Sequence, residues 1–414
     1  MTNVVISDIE ANGLHPDKLW CVVAEGKYGL PKVFRRPDLN PEPLIEYASK
    51  VDYWVFHNGL KYDWWVLNKL VPGLHIPHHK IIDTFVCSRL FDYRRFRTHG
   101  LEEIGQHFGY PKPPIHDWSE FSEEIVDRCK ADVIITKKFY YKYIEGELKK
   151  PYWKKALRLE HDTAIICQDM QNNGFKFDVE NAEAILEEIK SDMKRIEEGF
   201  KTAFPDRLVE VNRLKYRKKQ DGELFSNVQK ALDTYPVTEV QGEELVCFDY
   251  ESFNPRSSKH RVERLWDAGW EPVDRTTTHQ KFSRVRVGAK WGKIKSLTQK
   301  DYDAKKAQFA TYGWTVSEEN LQTLPETAPQ GAKDLAVWLT LEGRKSDLEE
   351  WLGVVKEDGR IHPSFWSIGA WTQRKSHSGP NCANIFSVFH GEPKTPVDQV
   401  KLKYDERLRA LWIC

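Results

Sequence analysis

The first 150 residues alternate short apolar runs with segments of helical periodicity. Apolar runs rich in β-branched residues, which are typical of buried strands, occur at 4–9 and 19–24. By the same criteria we predict further strands and helices, listed in chain order: a strand at 33–34, a helix at 41–50, a strand at 53–56, a helix at 63–70, and a strand end that leads into a helix within 81–90. This alternation predicts an α/β layered domain.

From about residue 150 the pattern becomes helical. A long helix is expected to end near Gln171, because Asn172-Asn173-Gly174 is a helix-terminating sequence, and Asp178 is a suitable N-cap for the next helix. Residues 204–249 carry few periodic signals and many charges. Further along, the pattern predicts a short helix at 262–270, a helix pair at 332–344 and 345–355, and strand-like runs at 365–368 and 385–389.

Four carboxylates from distant segments are the strongest chemical signal in the chain. Asp8 and Glu10 share one side of a strand because strand side chains alternate, while Asp63 and Asp132 each begin a predicted helix. Carboxylate oxygens suit Mg²⁺ or Mn²⁺, and two such ions about 3.5–4 Å apart can drive phosphodiester hydrolysis. The alternative is a strand whose acids face water. Asp83 precedes an apolar helix and is better explained as its cap than as a metal ligand.

Composition limits the remaining possibilities. With 414 residues, 40% of them hydrophobic, the chain has ample core for two or three domains. The net charge is zero, but Lys and Arg outnumber Asp and Glu more than two to one between residues 251 and 300, which favours a local phosphate-binding surface. The seven scattered cysteines indicate neither zinc nor disulfides. No run approaches the ~20 apolar residues that span a bilayer, and no signal peptide is evident, so we expect a soluble cytoplasmic protein without membrane contact.

The segments around these acids resemble a known family. Asp8-Ile9-Glu10, the stretch from Asn58 to Asp63, and Asp132 are similar to the three exonuclease motifs of the family A (polymerase I-like) DNA polymerases of bacteriophage type. The resemblance implies a ribonuclease H-like 3′–5′ exonuclease domain over 1–150. It implies two divalent ions, Mg²⁺ or Mn²⁺: Asp8 and Asp132 would hold the ion carrying the attacking water, Glu10 would orient that water, and Asp63 would anchor the second ion.

Four further positions bear on the exonuclease site. The resemblance implies that Leu14 wedges under the terminal base and that Asn58 contacts the 3′ end, although Asn58 is equally suited to a turn. One position departs from the family pattern. The family has a water-positioning tyrosine where this chain has Arg128, and a related branch has histidine where this chain has Asp127. We therefore expect metal binding with cleavage that is weakened or that recruits another group.

The resemblance extends through the rest of the chain. It implies a helical thumb over 151–357, with a charged excursion at about 204–250 where some relatives bind a processivity factor, and an incomplete palm over 358–414. The segment 253–260 matches a thumb motif in which Arg256, Lys259 or Arg261 would grip duplex phosphates. At 369–385 the chain is similar to the primer–template strip of the palm, which makes Arg374 a DNA contact. Gln373 and Asn384 replace the usual glycine and glutamine there.

The function predicted from the sequence is a 3′–5′ proofreading exonuclease and DNA-gripping part of a split or truncated family A polymerase. The metal-binding aspartates of the polymerase site are absent from the sequence, so synthesis would need a second polypeptide carrying the remaining palm and the fingers. Single-stranded and primer–template DNA are the expected partners, and a phage-encoded protein would act in the cytoplasm of its bacterial host. Two alternatives remain: a free-standing 3′–5′ exonuclease, and a non-catalytic DNA-binding subunit.

Overall fold

The structure is a computed structural model that describes residues 2–36, 39–115 and 117–413. The described residues divide into two compact units, the first comprising 2–177 and 354–385 and the second comprising 178–353 and 386–413. Each unit is described by itself. Cys414, one of the seven cysteines, lies outside the described residues.

The strands and helices follow the predicted alternation of the first 150 residues and add several elements beyond it. In chain order the strands are β1 (Val4–Ala11), β2 (Leu19–Gly26), β3 (Lys32–Arg35), β4 (Tyr53–Phe56), β5 (Ile81–Asp83), β6 (Phe175–Phe177), β7 (Arg207–Lys215), β8 (Val237–Gln241), β9 (Glu244–Glu251), β10 (Arg360–Ile361), β11 (Ser364–Trp366), β12 (Ser376–Ser378) and β13 (Trp412–Ile413). The helices are α1 (Pro41–Ser49), α2 (Asp63–Leu70), α3 (Thr84–Asp92), α4 (Leu101–His107), α5 (Glu123–Phe139), α6 (Glu145–Leu148), α7 (Trp153–Asn173), α8 (Val179–Ala203), α9 (Ser226–Thr234), α10 (Ser258–Asp267), α11 (Thr277–Phe282), α12 (Gln299–Tyr312), α13 (Glu318–Leu321), α14 (Gln330–Lys333), α15 (Leu335–Val354) and α16 (Pro396–Ala410).

A mixed sheet organises the first unit. Within the described residues its order is β3-β2-β1-β4-β5, with β1 in the centre. β2 is antiparallel to both β1 and β3, whereas β4 runs parallel to β1 and β5 runs parallel to β4. The mixed α/β architecture predicted for this region is therefore confirmed.

Alternation along β1 separates two hydrophobic cores. Val5 and Ile9 pack with apolar residues of α1 and α2, whereas Ile6 packs with apolar residues of α4 and α5. Asp8 and Glu10 have the same parity along the strand as Ile6. They therefore lie on the face of the sheet that α5 covers.

Asp83 ties the end of β5 to the turn after β4. Its carboxylate accepts hydrogen bonds from the backbone N–H groups of Asn58 (3.0 Å) and Leu60 (3.1 Å), and caps α3 by accepting from those of Phe85 (2.9 Å) and Val86 (3.3 Å). The capping role predicted for Asp83 is confirmed. Because the turn leads directly into Asp63, Asp83 also fixes the backbone from which one candidate metal ligand projects.

His161 is buried beside Asp83. Its Nδ1–H donates to the Leu157 carbonyl at 2.9 Å, and its Nε2 accepts the Asp83 backbone N–H at 2.9 Å. Both ring nitrogens are thus used within the fold.

The segment 354–385 belongs to the first unit. Its β11–β12 hairpin brings Ser376 so close to Gly369 that a Cβ at Gly369 would lie 1.9 Å from the Ser376 Oγ. Gln373 adopts φ +60°, a left-handed conformation that favours glycine, which accounts for the glycine usual in the family at this position. Arg89 donates to the Ile368 carbonyl at 2.7 Å and so attaches the hairpin to α3.

Helices α8, with 25 residues, and α15, with 20, are the longest described helices of the second unit. Asp178 caps α8 through the backbone N–H of Asn181, as predicted. The predicted helix pair at 332–344 and 345–355 is wrong: α15 is continuous across this boundary, and the short α14 precedes it. Arg344, at which the first helix of the pair was predicted to end, lies within α15. Its guanidinium makes two hydrogen bonds with Asp405 of the same unit, at 3.0 and 2.9 Å.

Residues 204–250 contain structure that the sequence pattern did not predict. Within the described residues, β7, β9 and β8 form an antiparallel sheet in that order, and Val228 and Ala231 of α9 pack against Leu245 and Cys247 of β9. Most side chains of β7 face solvent, so its periodicity is weak.

The strand predicted at 385–389 is wrong. The described residues there form no strand, and Phe386 instead packs its ring against Trp351 at 6.1 Å between centroids. The domain boundaries predicted near 150 and 357 differ from the limits of the compact units and stay predictions. Among the described helices, none is long and apolar enough to cross a membrane.

Replacing Asp83 by alanine should destabilise the first unit by about 2–4 kcal/mol, because four backbone N–H groups lose their acceptor and α3 loses its cap. Asp83→Asn keeps an acceptor oxygen and should cost about half as much. Urea unfolding measures both values. A loss below about 1 kcal/mol for Asp83→Ala would contradict the role assigned to this carboxylate.

Candidate metal centre

Three of the four predicted carboxylates converge on one point. One side-chain oxygen from each of Asp8, Glu10 and Asp132 lies within 4.8 Å of the others. Asp8 and Asp132 are buried and Glu10 is half-buried. The fold therefore brings Asp132 to Asp8 and Glu10, which precede it in the chain by 124 and 122 residues.

The prediction that Asp132 begins a helix is wrong, because α5 begins at Glu123 and Asp132 lies within it. Its position follows from the amphipathic pattern of α5. Ile125, Cys129, Val133 and Thr136 are buried at helical spacing with Asp132. The Cys129 thiol donates to the Asp8 carbonyl at 3.3 Å, which brings α5 against β1 at the level of the acids. The helix thus presents a carboxylate to the sheet as part of its packed face.

Asp63 lies in the same cleft but outside the cluster of three. Its Oδ1 accepts the Ile9 backbone N–H at 3.2 Å, and the residue is buried at the first turn of α2. One of its oxygens is therefore engaged by β1, and a second ion at Asp63 stays a prediction.

Two cations lie close to the carboxylate of Asp132. The Lys112 ammonium lies 2.6 Å from Asp132 Oδ2, and Nε of Arg128 lies 3.6 Å from the same oxygen. Arg128 also donates through Nη1 to the Pro113 carbonyl, in the same segment as Lys112. Arg128, the departure from the family pattern, thus contributes a charge at the position where the family has a hydroxyl.

The protonation of these acids reflects burial and mutual repulsion. Burial and the charge of Asp132 raise the pKa of Asp8 well above its usual range. The same causes, with Asp63, raise the pKa of Glu10 from an ordinary 4.5 to about 8, and burial raises that of Asp63 from 3.8 to about 7. Lys112 opposes this by lowering the pKa of Asp8, Glu10 and Asp132, although burial still keeps that of Asp132 raised.

The donor set fits a hard divalent cation. Carboxylate oxygens are the ligands that Mg²⁺ and Mn²⁺ prefer. Asp132 Oδ1 is buried and finds no hydrogen-bond partner among the described residues, so an oxygen in the cluster is left for such an ion. An ion there would also relieve the repulsion that raises the pKa values.

A cleft of about 500 Å³ leads to the acids. Leu14 lines it and is 84% exposed, which suits the predicted wedge beneath a terminal base. Asn58 also lines the cleft. It adopts φ +63° and donates its backbone N–H to Asp83, as expected for a turn residue, which was the alternative to a contact with DNA. The contact of Asn58 with a 3′ end is untested.

The other predicted DNA contacts are not among the residues that line this cleft. In the second unit the guanidinium of Arg256 makes two hydrogen bonds with Glu342, at 2.7 and 3.0 Å, and Lys259 lies 3.8 Å from Glu263. Arg261 donates to the Pro255 carbonyl at 2.7 Å. In the first unit Arg374 is exposed beside the β11–β12 hairpin.

Sequence reasoning missed two residues of the cleft. Lys112 stands in Pro111-Lys112-Pro113-Pro114, which has no helical or strand period to place it near the acids. Trp366 belongs to the distant hairpin, and its ring lies 3.6 Å from the Lys61 ammonium. Neither position carries a motif that a single sequence could reveal.

Comparison with known proteins identifies relatives of this chain. No protein-family model matches it. The DNA-directed DNA polymerases of Enterobacteria phage T3 and Escherichia phage T7 are each 26% identical to it, over alignments that cover 93% of this chain.

The chain is homologous to the family A DNA polymerases. It spans 63% of the length of these two phage relatives. The fold of this polymerase homologue is similar to the POL domain of Pol1 from M. smegmatis, solved with a DNA primer-template and dNTP, at a TM-score of 0.56 and 14% identity. That likeness covers 99% of this chain and 55% of the other. The family resemblance inferred from the motifs is confirmed.

The raised pKa values predict how stability depends on pH when divalent ions are removed. Glu10 and Asp63 hold protons in the folded chain at a pH where the unfolded chain has lost them, so stability should fall as the pH rises from about 4 to about 8. Melting temperatures measured in chelator across this window test this, with Asp63→Asn expected to flatten the slope.

Mg²⁺ or Mn²⁺ should raise the melting temperature more at about pH 8 than at about pH 5, because the ion binds deprotonated carboxylates. A melting temperature that rises with pH in chelator, or that ignores the added ion at both pH values, would contradict the assignment of a metal centre.

Proposed function

We propose that this polymerase homologue is a metal-dependent 3′–5′ DNA exonuclease with a ribonuclease H-like exonuclease unit. The convergence of Asp8, Glu10 and Asp132 within 4.8 Å at the end of an open cleft carries the proposal. The mixed sheet with helices packed on both faces supports the fold assignment. The 3′–5′ polarity and the preference for DNA come from the family resemblance.

The acids divide the work of holding divalent ions. Asp8, Glu10 and Asp132 would hold one ion, and Asp63 with Asp8 would hold a second. Such ions, when bound, lower the pKa of water and offset charge at the phosphate. The raised pKa values of the acids make deprotonation costly without an ion, so ion binding and proton release are coupled.

The remaining cleft residues would place the strand end. Leu14 offers an exposed apolar side chain next to the acids, against which a terminal base can pack. Trp366 and Lys61 add an aromatic surface and a cation in the same cleft. Aromatic faces and cations are the groups that bind single strands without sequence preference.

One observation favours a second function, that of a non-catalytic DNA-binding subunit. Lys112 and Arg128 already neutralise Asp132, and the family tyrosine is replaced. In that case the acids would bind no ion and the chain would bind DNA without cutting it. A nuclease assay separates the two functions, because only the exonuclease would shorten DNA in the presence of a divalent ion.

The polymerase-related role rests on homology. We propose that the chain grips primer–template DNA as part of a replicative enzyme in the cytoplasm of a phage-infected cell. The split polymerase, the second polypeptide and the processivity factor stay predictions. Gel-filtration of the chain with candidate partners would test them.

The proposed nuclease should shorten a 5′-labelled single-stranded DNA from its 3′ end in the presence of Mg²⁺ or Mn²⁺. Replacing both Asp8 and Glu10 by alanine should lower the rate by at least about 10³-fold, because two ligands of one ion are lost. Glu46→Ala, which removes an exposed carboxylate on α1, is the matched control and should digest normally. Equal digestion by the double variant and the native chain would exclude these acids from the chemistry.

Arg374→Ala should weaken binding of primer–template DNA and lower the slope of log affinity against log salt by about one, as expected for one lost phosphate contact. Fluorescence anisotropy across a salt series measures both quantities. Arg195→Ala, which removes an exposed arginine of α8, is the control and should bind like the native chain. An unchanged slope for Arg374→Ala would rule out this contact.

A further inference from the structure

Lys112 is a largely buried cation whose position the proposed function does not explain. Its side chain is only 11% exposed, and its ammonium lies 2.6 Å from Asp132 Oδ2. It lines the same cleft as Asp8, Glu10 and Leu14. A lysine loses hydration and side-chain freedom when it is buried, so this placement needs a compensating interaction.

The surrounding chain holds Lys112 in this place. Proline precedes it and two prolines follow, which restricts the backbone of the segment. Arg128 binds the Pro113 carbonyl through Nη1 while its Nε faces Asp132. The segment that carries Lys112 is thereby tied to α5 within one turn of the candidate ligand Asp132.

A divalent ion and Lys112 would compete for the charge of one carboxylate, because Oδ1 of Asp132 is left for the ion while Oδ2 holds the ammonium. Both are cations, and both would draw on the oxygens of Asp132. An ion in the cluster would neutralise the charge of Asp132. The Lys112 ammonium would then lose much of its electrostatic attraction to that carboxylate. Because its segment is anchored, the ammonium stays in the cleft, where the anionic group that a nucleic acid supplies is a phosphate.

We propose that Lys112 has two partners in turn: it neutralises Asp132 in the ion-free site, and it binds the scissile phosphate of the substrate once an ion is bound. This inference rests on the proposed nuclease function. An ammonium has three donors on a flexible stem, so it can move from a carboxylate to a phosphate oxygen nearby. It would supply positive charge where the transition state gains negative charge, at a site that lacks the family tyrosine.

The test uses Lys112→Met, which keeps the length of the side chain and removes its charge. Calorimetry without DNA should show Mn²⁺ binding at least about threefold tighter than in the native chain, because the competing cation is gone. Cleavage of single-stranded DNA at saturating Mn²⁺ should fall at least about tenfold. Lys112→Arg should keep both values within about threefold of native, because the charge is retained.

Lys130→Met is the matched control. Lys130 lies two residues before Asp132 in the sequence, but it pairs with the exposed Asp127 at 2.9 Å. It should leave both Mn²⁺ affinity and cleavage unchanged. Melting temperatures of all variants identify any that fail to fold, and in that event Lys112→Gln replaces Lys112→Met.

Tighter Mn²⁺ binding together with slower cleavage supports the inference, since a purely structural lysine would not improve ion binding. Tighter binding with native cleavage would overturn the phosphate contact, and weaker binding would overturn the competition. If the native chain itself does not cleave DNA, the proposed function fails. If instead the native chain cleaves DNA and Lys112→Met cleaves it at the same rate, the proposed function stands and only the inference about Lys112 fails.

Discussion

Repulsion among three carboxylates that the fold gathers beside the central strand β1 is the constraint on which the first unit depends. Side-chain oxygens of Asp8, Glu10 and Asp132 lie within 4.8 Å of one another, and burial together with this repulsion raises the pKa values of Asp8 and Glu10. The fold offsets this cost in two ways. Lys112 and Arg128 bring positive charge to Asp132, and the packed contact of α5 with β1 keeps the acids in place despite their repulsion. A divalent ion would be a third and stronger compensation.

The same strand explains why the unit is built as it is. β1 lies in the middle of the sheet and is covered on both faces, so its backbone is held by neighbours on either side. Asp83 holds the position of Asp63 indirectly, because its carboxylate fixes the turn that leads to Asp63. Rigid elements therefore carry the candidate ligands, and the exposed Leu14 and the distant hairpin with Trp366 line the cleft around them.

Much of the first unit could be predicted from the sequence because its strands are continuously apolar and its helix ends carry clear caps. The acids were found because their residue types and spacing match a family. Other features lacked such signals. Strand β7 is largely exposed and highly charged, so the sequence pattern did not predict its sheet. The apolar run at 385–389 was wrongly predicted as a strand, because its apolar side chains pack without one, as Phe386 does on Trp351. Lys112 reaches the acids only through the tertiary fold.

The central claim is that Asp8, Glu10 and Asp132 form a divalent metal centre in this homologue of the family A DNA polymerases. Crystals of the protein soaked in Mn²⁺, with anomalous diffraction collected to locate the ion, test it most directly. The account predicts an anomalous peak bonded to oxygens of these three residues at about 2.2 Å, with the Lys112 ammonium displaced from Asp132. A well-ordered cluster without a peak, and with Lys112 still on Asp132, would contradict it.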